Sequence, residues 1–342
     1  MRKLIAPAAL AVSAILVGLP AVHGAAAARP AATTHVSIMV GGLAKQIYLP
    51  NMLAQRLGFF AKNGLNVTLI DEASGQSSEN EVIAGQVQAG SGSYNHTIEL
   101  QAAGKGLVDV VQLTVAPGEA EMVRANEAGT IKSFKNLRGK NLGITEFGSG
   151  TQTLSSYLLV HNGVPVSAAH FIPVGAGDTF IAAMKQNRID AGMTTEPTIS
   201  QLVHSGQAKV LVDLRTPQTS RAALGGNYPF ICVFMSPSYV KSNKATVQKI
   251  VNAYVETLKW IHTHSAAQIA AKMPADYYVG NKALYVQALQ AQKAMYSPDG
   301  KMPAGGPQFV LKTEQLFNDQ VKSAKSINLG TTFDAEFVNK AM

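Results

Sequence analysis

The chain is poor in the residues that most reactive chemistries need. Its 342 residues include one cysteine, which excludes an internal disulfide framework and any CxxC-type zinc or redox site. Charged residues make up 15% and aromatic residues 7%, and no basic run exceeds two residues. The basic stripe with interleaved aromatics that a nucleic-acid surface needs is therefore missing. No G-x-S-x-G elbow presents a serine nucleophile, and no G-x-x-x-x-G-K-[ST] loop cradles a triphosphate. None of the histidines (23, 35, 96, 161, 170, 204, 262 and 264) stands in H-E-x-x-H. His262 and His264 are two apart and point to different sides of a helix, so no metal site is expected. Cys232 lies inside FICVF and reads as a small buried hydrophobe. Disorder is excluded by a hydrophobic content of 46%, enough for a large core in about two domains.

The amino terminus follows its own grammar. Arg2 and Lys3 precede an apolar run from Leu4 to Leu19, then Pro20, then small residues from Gly24 to Ala28. This is the pattern of a secretory signal peptide, with cleavage expected near Ala25–Ala28. The run is short for a span of about 20 residues, and no later stretch is long and apolar enough to cross a membrane. Residues 1–28 are thus read as a leader, and the mature chain as a soluble, exported, periplasmic protein. Loss of Arg2 and Lys3 lowers the net charge from +8 to +6, scattered along the chain.

From residue 34 the pattern alternates strand and helix. His35–Val40 reads as a buried strand and Leu49–Ala61 as a helix with Leu53, Leu57 and Phe60 on one face. Leu65–Asp71 is a strand, and Ser78 with Glu81 reads as a capping box. Ala89–Tyr94 and Val108–Val115 follow as strands. The rhythm then repeats, with strands at Asn141–Thr145, His170–Val174, Ala191–Thr194 and Val210–Leu214 separated by helices. This order implies parallel sheets with helices on their faces, an α/β fold. Phe230–Met235 is one more buried strand. The remainder is helical, with Val247, Ile250, Val251, Tyr254, Leu258 and Ile261 marking one face of a long helix.

Parallel α/β sheets bind ligands outside the carboxyl ends of their strands. The loops there are polar and mostly neutral: 41–48, 73–77, 91–96, 146–151 and 195–197. Gly148-Ser149-Gly150-Thr151 opens a helix, whose unpaired amides and positive dipole end suit a carboxylate, sulfonate, nitrate or phosphate group. The ordinary alternative is that Ser149 or Thr151 simply caps that helix. Glu196-Pro197 is an ordinary helix start with proline in the first turn.

Across nearly the whole mature chain the sequence resembles the solute-binding proteins of nitrate, taurine and sulfonate ABC importers, a group similar to the thiamine-pyrimidine precursor binders. The resemblance is carried by YLPNMLAQRLGFFAKNGLNVTLID, by FKNLRGKNLGITEFGSGTQTLSSYLLVHNGV, by AGDTFIAAMKQNRIDAGMTTEPTISQLVHSGQAKVLVDL and by the ending TTFDAEFVNKAM. It implies a type II periplasmic binding protein fold: two doubly wound α/β domains joined by two crossing segments, near Thr114–Arg124 and Arg215–Phe230, with a helical carboxyl-terminal tail. Domain 1 would be discontinuous, 34–118 plus 223–342, with domain 2 at 119–222. The implied ligand contacts are Gly42, Leu43, Lys45 and Gln46; Ser93, Tyr94 and Asn95; Ser149, Gly150 and Thr151; and Glu196.

The implied function is capture of a small organic anion or zwitterion (a sulfonate, a taurine-like compound or an aromatic acid) for delivery to an ABC importer permease. The protein would act as a monomer, with no cofactor and no catalysis. The loops lack the strongly basic clamp a bare inorganic anion would need. The alternatives are a pyrimidine (thiamine precursor) binder, an enzyme of pyrimidine synthesis on the same fold, and a sensory module. The synthase relatives carry a cysteine-rich motif and a reactive histidine, and a single cysteine within a strand argues against their chemistry.

Overall fold

The computed structural model describes residues 33–341, and the leader reading of residues 1–28 falls outside them. Two five-stranded sheets organise the chain. The first contains β1 (Thr34–Val40), β2 (Leu65–Asp71), β3 (Ala89–Ser93) and β4 (Val108–Gln112). The second contains β5 (Glu119–Arg124), β6 (Asn141–Ile144), β7 (His170–Pro173), β8 (Ala191–Thr195) and β9 (Ala208–Asp213). The chain then returns to the first sheet as β10 (Ile231–Met235). The strand orders are β2-β1-β3-β10-β4 and β7-β6-β8-β5-β9, so the same topology appears twice. In each sheet four strands run in one direction, and the fifth, entering from the other sheet, runs antiparallel between two neighbours. Each sheet with its covering helices forms a lobe.

Several expected elements shift for local reasons. The single helix expected over Leu49–Ala61 is two, Leu49–Arg56 and Phe59–Lys62, because Gly58 between them adopts φ +73. The helix expected to start at Ser78 starts at Gly75 (Gly75–Ile83). Its cap is Ser74, whose hydroxyl accepts from Ser77 N at 3.2 Å. The largest difference is β5. The crossing expected over Thr114–Arg124 is shorter, since Glu119–Arg124 is a strand of the second sheet. Its carboxylates at alternate positions disguise a buried strand: Ala120 and Met122 face one core while Glu119, Glu121 and Val123 face the other way.

The two passages between the sheets are bonded to each other. Thr114 N donates to Ile231 O at 3.0 Å and Phe230 N to Thr114 O at 3.1 Å. At their other end Gly118 N donates to Leu214 O and Leu214 N to Glu119 O, at 3.1 and 2.9 Å. The tail helices do more than return to the first lobe. The long helix Lys244–Thr263 packs on Leu49–Arg56, Phe59–Lys62 and β4, but Lys282–Gln292 touches the helix Thr198–His204 and Gly306–Phe317 touches Gly150–His161, both in the second lobe. Cys232 is fully buried in β10, and burial pushes its thiol up, as expected of an inert core residue. No helix among the described residues is long and apolar enough to cross a membrane.

Burial of Glu121 gives the fold a pH signature. Its carboxyl is pushed from 4.5 up to about 8 by burial, against a 2.8 Å hydrogen bond from Ser155 Oγ. Between those two pH values the folded state keeps a proton that the unfolded state has released, so stability falls as pH rises through the window. Glu121→Gln keeps an acceptor for Ser155 and removes the charge. It should be the more stable protein at pH 8 by about 1–3 kcal/mol, with the advantage fading toward pH 4.5. Urea unfolding at both ends of the window measures this, and a pH-independent difference would show that charge burial is not its source.

Candidate functional site

The carboxyl ends of β1, β2, β3, β6 and β8 open toward one another across the seam between the lobes. Because β5 and β10 are antiparallel, their first residues lie at the same edge: Glu119 pairs with Thr195 and Ile231 with Ser93. A small cavity of about 20 Å³ forms there. Its walls come from Lys45, Ile47, Tyr48, Ser74, Gly75 and Ser93 of the first lobe, with Phe230 at the entry to β10. The second lobe contributes Glu119, Thr145, Ser149, Gly150, Thr151 and Thr195. That volume admits about one water, so an organic guest requires the lobes to part.

Direct bonds hold the seam shut. Gln46 N donates to Glu196 O at 3.0 Å. Ser77 Oγ donates to Glu146 Oε2 at 2.9 Å, and Ser74 Oγ donates to the same oxygen. Asn95 Nδ2 reaches Thr153 Oγ1 at 3.4 Å. The approach is close enough that a Cβ on Gly150 would lie 2.6 Å from the Phe230 ring and 3.0 Å from Ser93 Oγ.

The expected site residues divide by what their side chains do. Lys45, Ser93, Ser149, Gly150 and Thr151 line the cavity. Lys45 Nζ donates to Gly41 O at 2.7 Å and Ala73 O at 2.8 Å, and burial pulls its ammonium down to about 8 against the opposing charges of Glu119, Asp71 and Glu146. Ser93 is 2% exposed, and its Oγ has no partner. Ser149 stands at the N-cap of the helix Gly150–His161 but makes no capping bond. Its hydroxyl donates back to Glu146 O at 2.6 Å, leaving the first helical amides uncapped by a side chain. Thr151 Oγ1 accepts from Thr145 N at 2.9 Å.

The others are brought near without lining that cavity. Gly42 lines a wider neighbouring cavity of about 580 Å³ that also touches Lys45. Leu43 is pinned by its N–H to Asp71 Oδ1 at 2.6 Å. Both ends of the Gln46 amide are used internally: Nε2 donates to Tyr285 O and Oε1 accepts from Gln292 Nε2, at 3.0 and 2.7 Å. The Tyr94 hydroxyl bonds Thr332 Oγ1 beneath the sheet, and Asn95 Nδ2 donates to Glu99 at 3.0 Å. Glu196 is fully buried with its carboxylate turned into its own lobe, accepting from Ser200 N, Ser200 Oγ and Arg215 Nη1, each at 2.9 Å. Only its main-chain oxygen serves the seam.

Reading only the loops after parallel strands misses Glu119, Phe230 and Thr145, while Tyr48 ends the 41–48 loop without being among the expected contacts. Glu119 is 2% exposed and its Oε2 has no partner. Burial raises its carboxyl well above the usual range, Lys45 opposing and Glu121 adding to the shift. Burial likewise raises the Tyr48 hydroxyl, with Glu119 reinforcing the effect. Behind the Ser74–Gly75 loop, His96 Nδ1 lies 3.0 Å from Glu79 and 3.5 Å from Glu99. Burial alone would depress this imidazole, but the two carboxylates outweigh it and hold it at about 10, a cation that ties two helices of the first lobe together.

A family model described as NMT1/THI5 like matches residues 47–267. The chain belongs to the NMT1/THI5-like family. A solved protein from Bordetella bronchiseptica RB50 is 32% identical over 90% of this chain and 96% of its own, with a TM-score of 0.86. The alkanesulfonate-binding protein SsuA from Xanthomonas axonopodis pv. citri, bound to MOPS, aligns at TM-score 0.67 and 17% identity over 90% of this chain and 99% of its own. The periplasmic nitrate-binding protein NrtA from Synechocystis PCC 6803 aligns at 0.72 and 14% over 90% and 88%. These likenesses establish the type II periplasmic binding protein fold. Among curated proteins, a 4-amino-5-hydroxymethyl-2-methylpyrimidine phosphate synthase of Uromyces fabae is 27% identical over 48% of this chain. The match spans about half of that relative, 47% of its length.

In this NMT1/THI5-like chain, Glu146 is the acceptor through which two serines of the first lobe hold the second. Glu146→Ala should shift the protein toward an open form. Small-angle scattering should then show a larger radius of gyration, and the affinity for any compound held in the seam should drop by about tenfold or more, the worth of at least one charge-assisted bond. An unchanged scattering profile together with unchanged affinity would mean that these bonds do not hold the seam.

Proposed function

We propose that this protein is an extracytoplasmic solute-binding protein that takes a small organic anion or zwitterion between its lobes and presents it, closed, to an ABC importer permease. In this reading residues 34–118 with 223–342 move as one body and 119–222 as the other, hinged at the two bonded crossings. The observation that carries it is the seam: donor groups of both lobes converge on one buried cavity, and the uncapped helix start at Gly150 faces the Lys45 loop. An anionic group docks at those amides with help from Lys45 and the hydroxyls of Ser93, Ser149 and Thr151. Contacts to both lobes favour closure because only the closed form makes them all. The fold shared with a sulfonate binder and a nitrate binder supports transport, and export to the periplasm agrees with the leader-like amino terminus.

A second reading, pyrimidine recognition or pyrimidine synthesis, is favoured by the curated synthase relative. The cavity wall supplied by Phe230 suits a flat ring, whereas the buried Cys232 offers no ready thiolate. Thermal shifts across sulfonates, nitrate, aromatic acids and aminopyrimidines decide among these. A ligand at 100 times its Kd should stabilise the protein by about 2.7 kcal/mol. Ser149→Ala should weaken the best compound by about tenfold with little change in the unliganded melting temperature. Recovery of any bound compound as a chemically altered product would refute the transport reading and favour the enzyme.

A further inference from the structure

The seam contains one group that the anion-binding account leaves unused. Glu119 is a carboxylate at the first position of β5, 2% exposed, with Oε2 unpartnered at the wall of the cavity. Leaving such an oxygen desolvated without a donor is unfavourable. The structure offers it little relief. The one ammonium on the same cavity, Lys45, already donates to two carbonyls of its own lobe and forms no ion pair with Glu119. Ser93 Oγ is the other unpartnered polar atom on that wall, and the Phe230 ring lies between the lobes beside it.

We propose that Glu119 determines ligand specificity by accepting a hydrogen bond from a nitrogen of the captured molecule, so that the physiological ligand carries an amine or an amino-substituted heteroaromatic ring. This rests on the solute-binding reading and narrows it. An N–H donor supplies what the buried oxygen lacks, and a cationic or polarised nitrogen is held by charge as well. A bare anion such as nitrate places oxygen against oxygen at this point. A zwitterion is served at both ends, its anionic group at the Gly150 helix start and Lys45, its nitrogen at Glu119. A flat aminopyrimidine is served by Glu119 and the face of Phe230.

Matched pairs test the proposal: 2-aminoethanesulfonate against 2-hydroxyethanesulfonate, and 4-aminopyrimidine against pyrimidine, titrated calorimetrically into the wild type, Glu119→Gln and Glu119→Asp. The wild type should prefer the amino member of at least one pair by about tenfold or more. Glu119→Gln presents an N–H or a weaker carbonyl acceptor and should reduce that preference to about twofold or less without weakening the partner compound. Glu119→Asp should retain the preference at lower affinity, and far-UV circular dichroism confirms that each variant is folded. Binding without an amino preference, or a preference that survives Glu119→Gln, overturns the role of Glu119 and leaves solute binding standing. A wild type that binds none of these compounds, nor any in the wider panel, overturns both readings.

Discussion

Everything at the seam depends on the direction of two strands. In each sheet the strand that arrives from the opposite lobe, β5 or β10, runs against its neighbours. Its first residue therefore lies level with the last residue of a parallel strand, which is where such sheets leave their loops open for ligands. Glu119 meets Thr195 in this way, and Phe230 passes its carbonyl to Tyr94 N at 2.7 Å. The residues that end each passage between lobes are thus also walls of the cavity. In the proposed closure, a rotation about the passages would move Glu119 and Phe230 with it and so couple the shape of the cavity to the angle between lobes without any further linkage.

The electrostatics follow from the same placement. Glu119 and Lys45 share a desolvated space, and each opposes the shift that burial imposes on the other. The effective dielectric is low in such a space, so a charge brought in by a ligand is felt strongly. A guest with a single negative charge satisfies Lys45 and aggravates Glu119. One with a single positive charge does the reverse. A guest with separated charges, or a neutral one with a donor at one end and an acceptor at the other, improves both. Hydroxyls such as those of Ser93, Ser149, Thr151 and Tyr48 also lie on the wall and are indifferent to sign, since each can donate or accept.

Much of this was legible in the order of residues. The alternation of β-branched runs with helical periods places β1 to β4 and β6 to β9 close to where they stand, and five of the eleven expected contact residues line the cavity. What was hidden was hidden for physical reasons. EAEMVR falls in the expected crossing over Thr114–Arg124, because carboxylates at alternate positions obscure a strand, yet it is β5 and both carboxylates are buried. Glu196 reads as a free carboxylate, but its acceptor is consumed by Arg215, nineteen residues away and brought close only by the packing of β9 beside the crossing. Gln46 is held by Tyr285 and Gln292, from a helix some 240 residues later that no local pattern could place there.

The seam's own bonds set the terms on which a ligand acts. Few of them are charged: among the described residues Glu146 is the one carboxylate in the side-chain bonds that cross. Neutral bonds exchanged for water contribute about 0.5–1.5 kcal/mol each, and bonds to a carboxylate about 1.5–3 kcal/mol. On the proposed reading, a handful of such terms, set against the freedom lost when two lobes dock, would leave open and closed forms separated by a small free energy. Moving such an equilibrium decisively takes a differential affinity of about 5.5 kcal/mol. A molecule of about ten heavy atoms touching only one lobe has none to give, however tightly it binds. One that bridges the Gly150 helix start and the Lys45 loop makes half of its contacts only after closure. In the proposed binding cycle the hydroxyl-rich second lobe would then be as much a part of the switch as of the site, because its contacts would exist in one state alone.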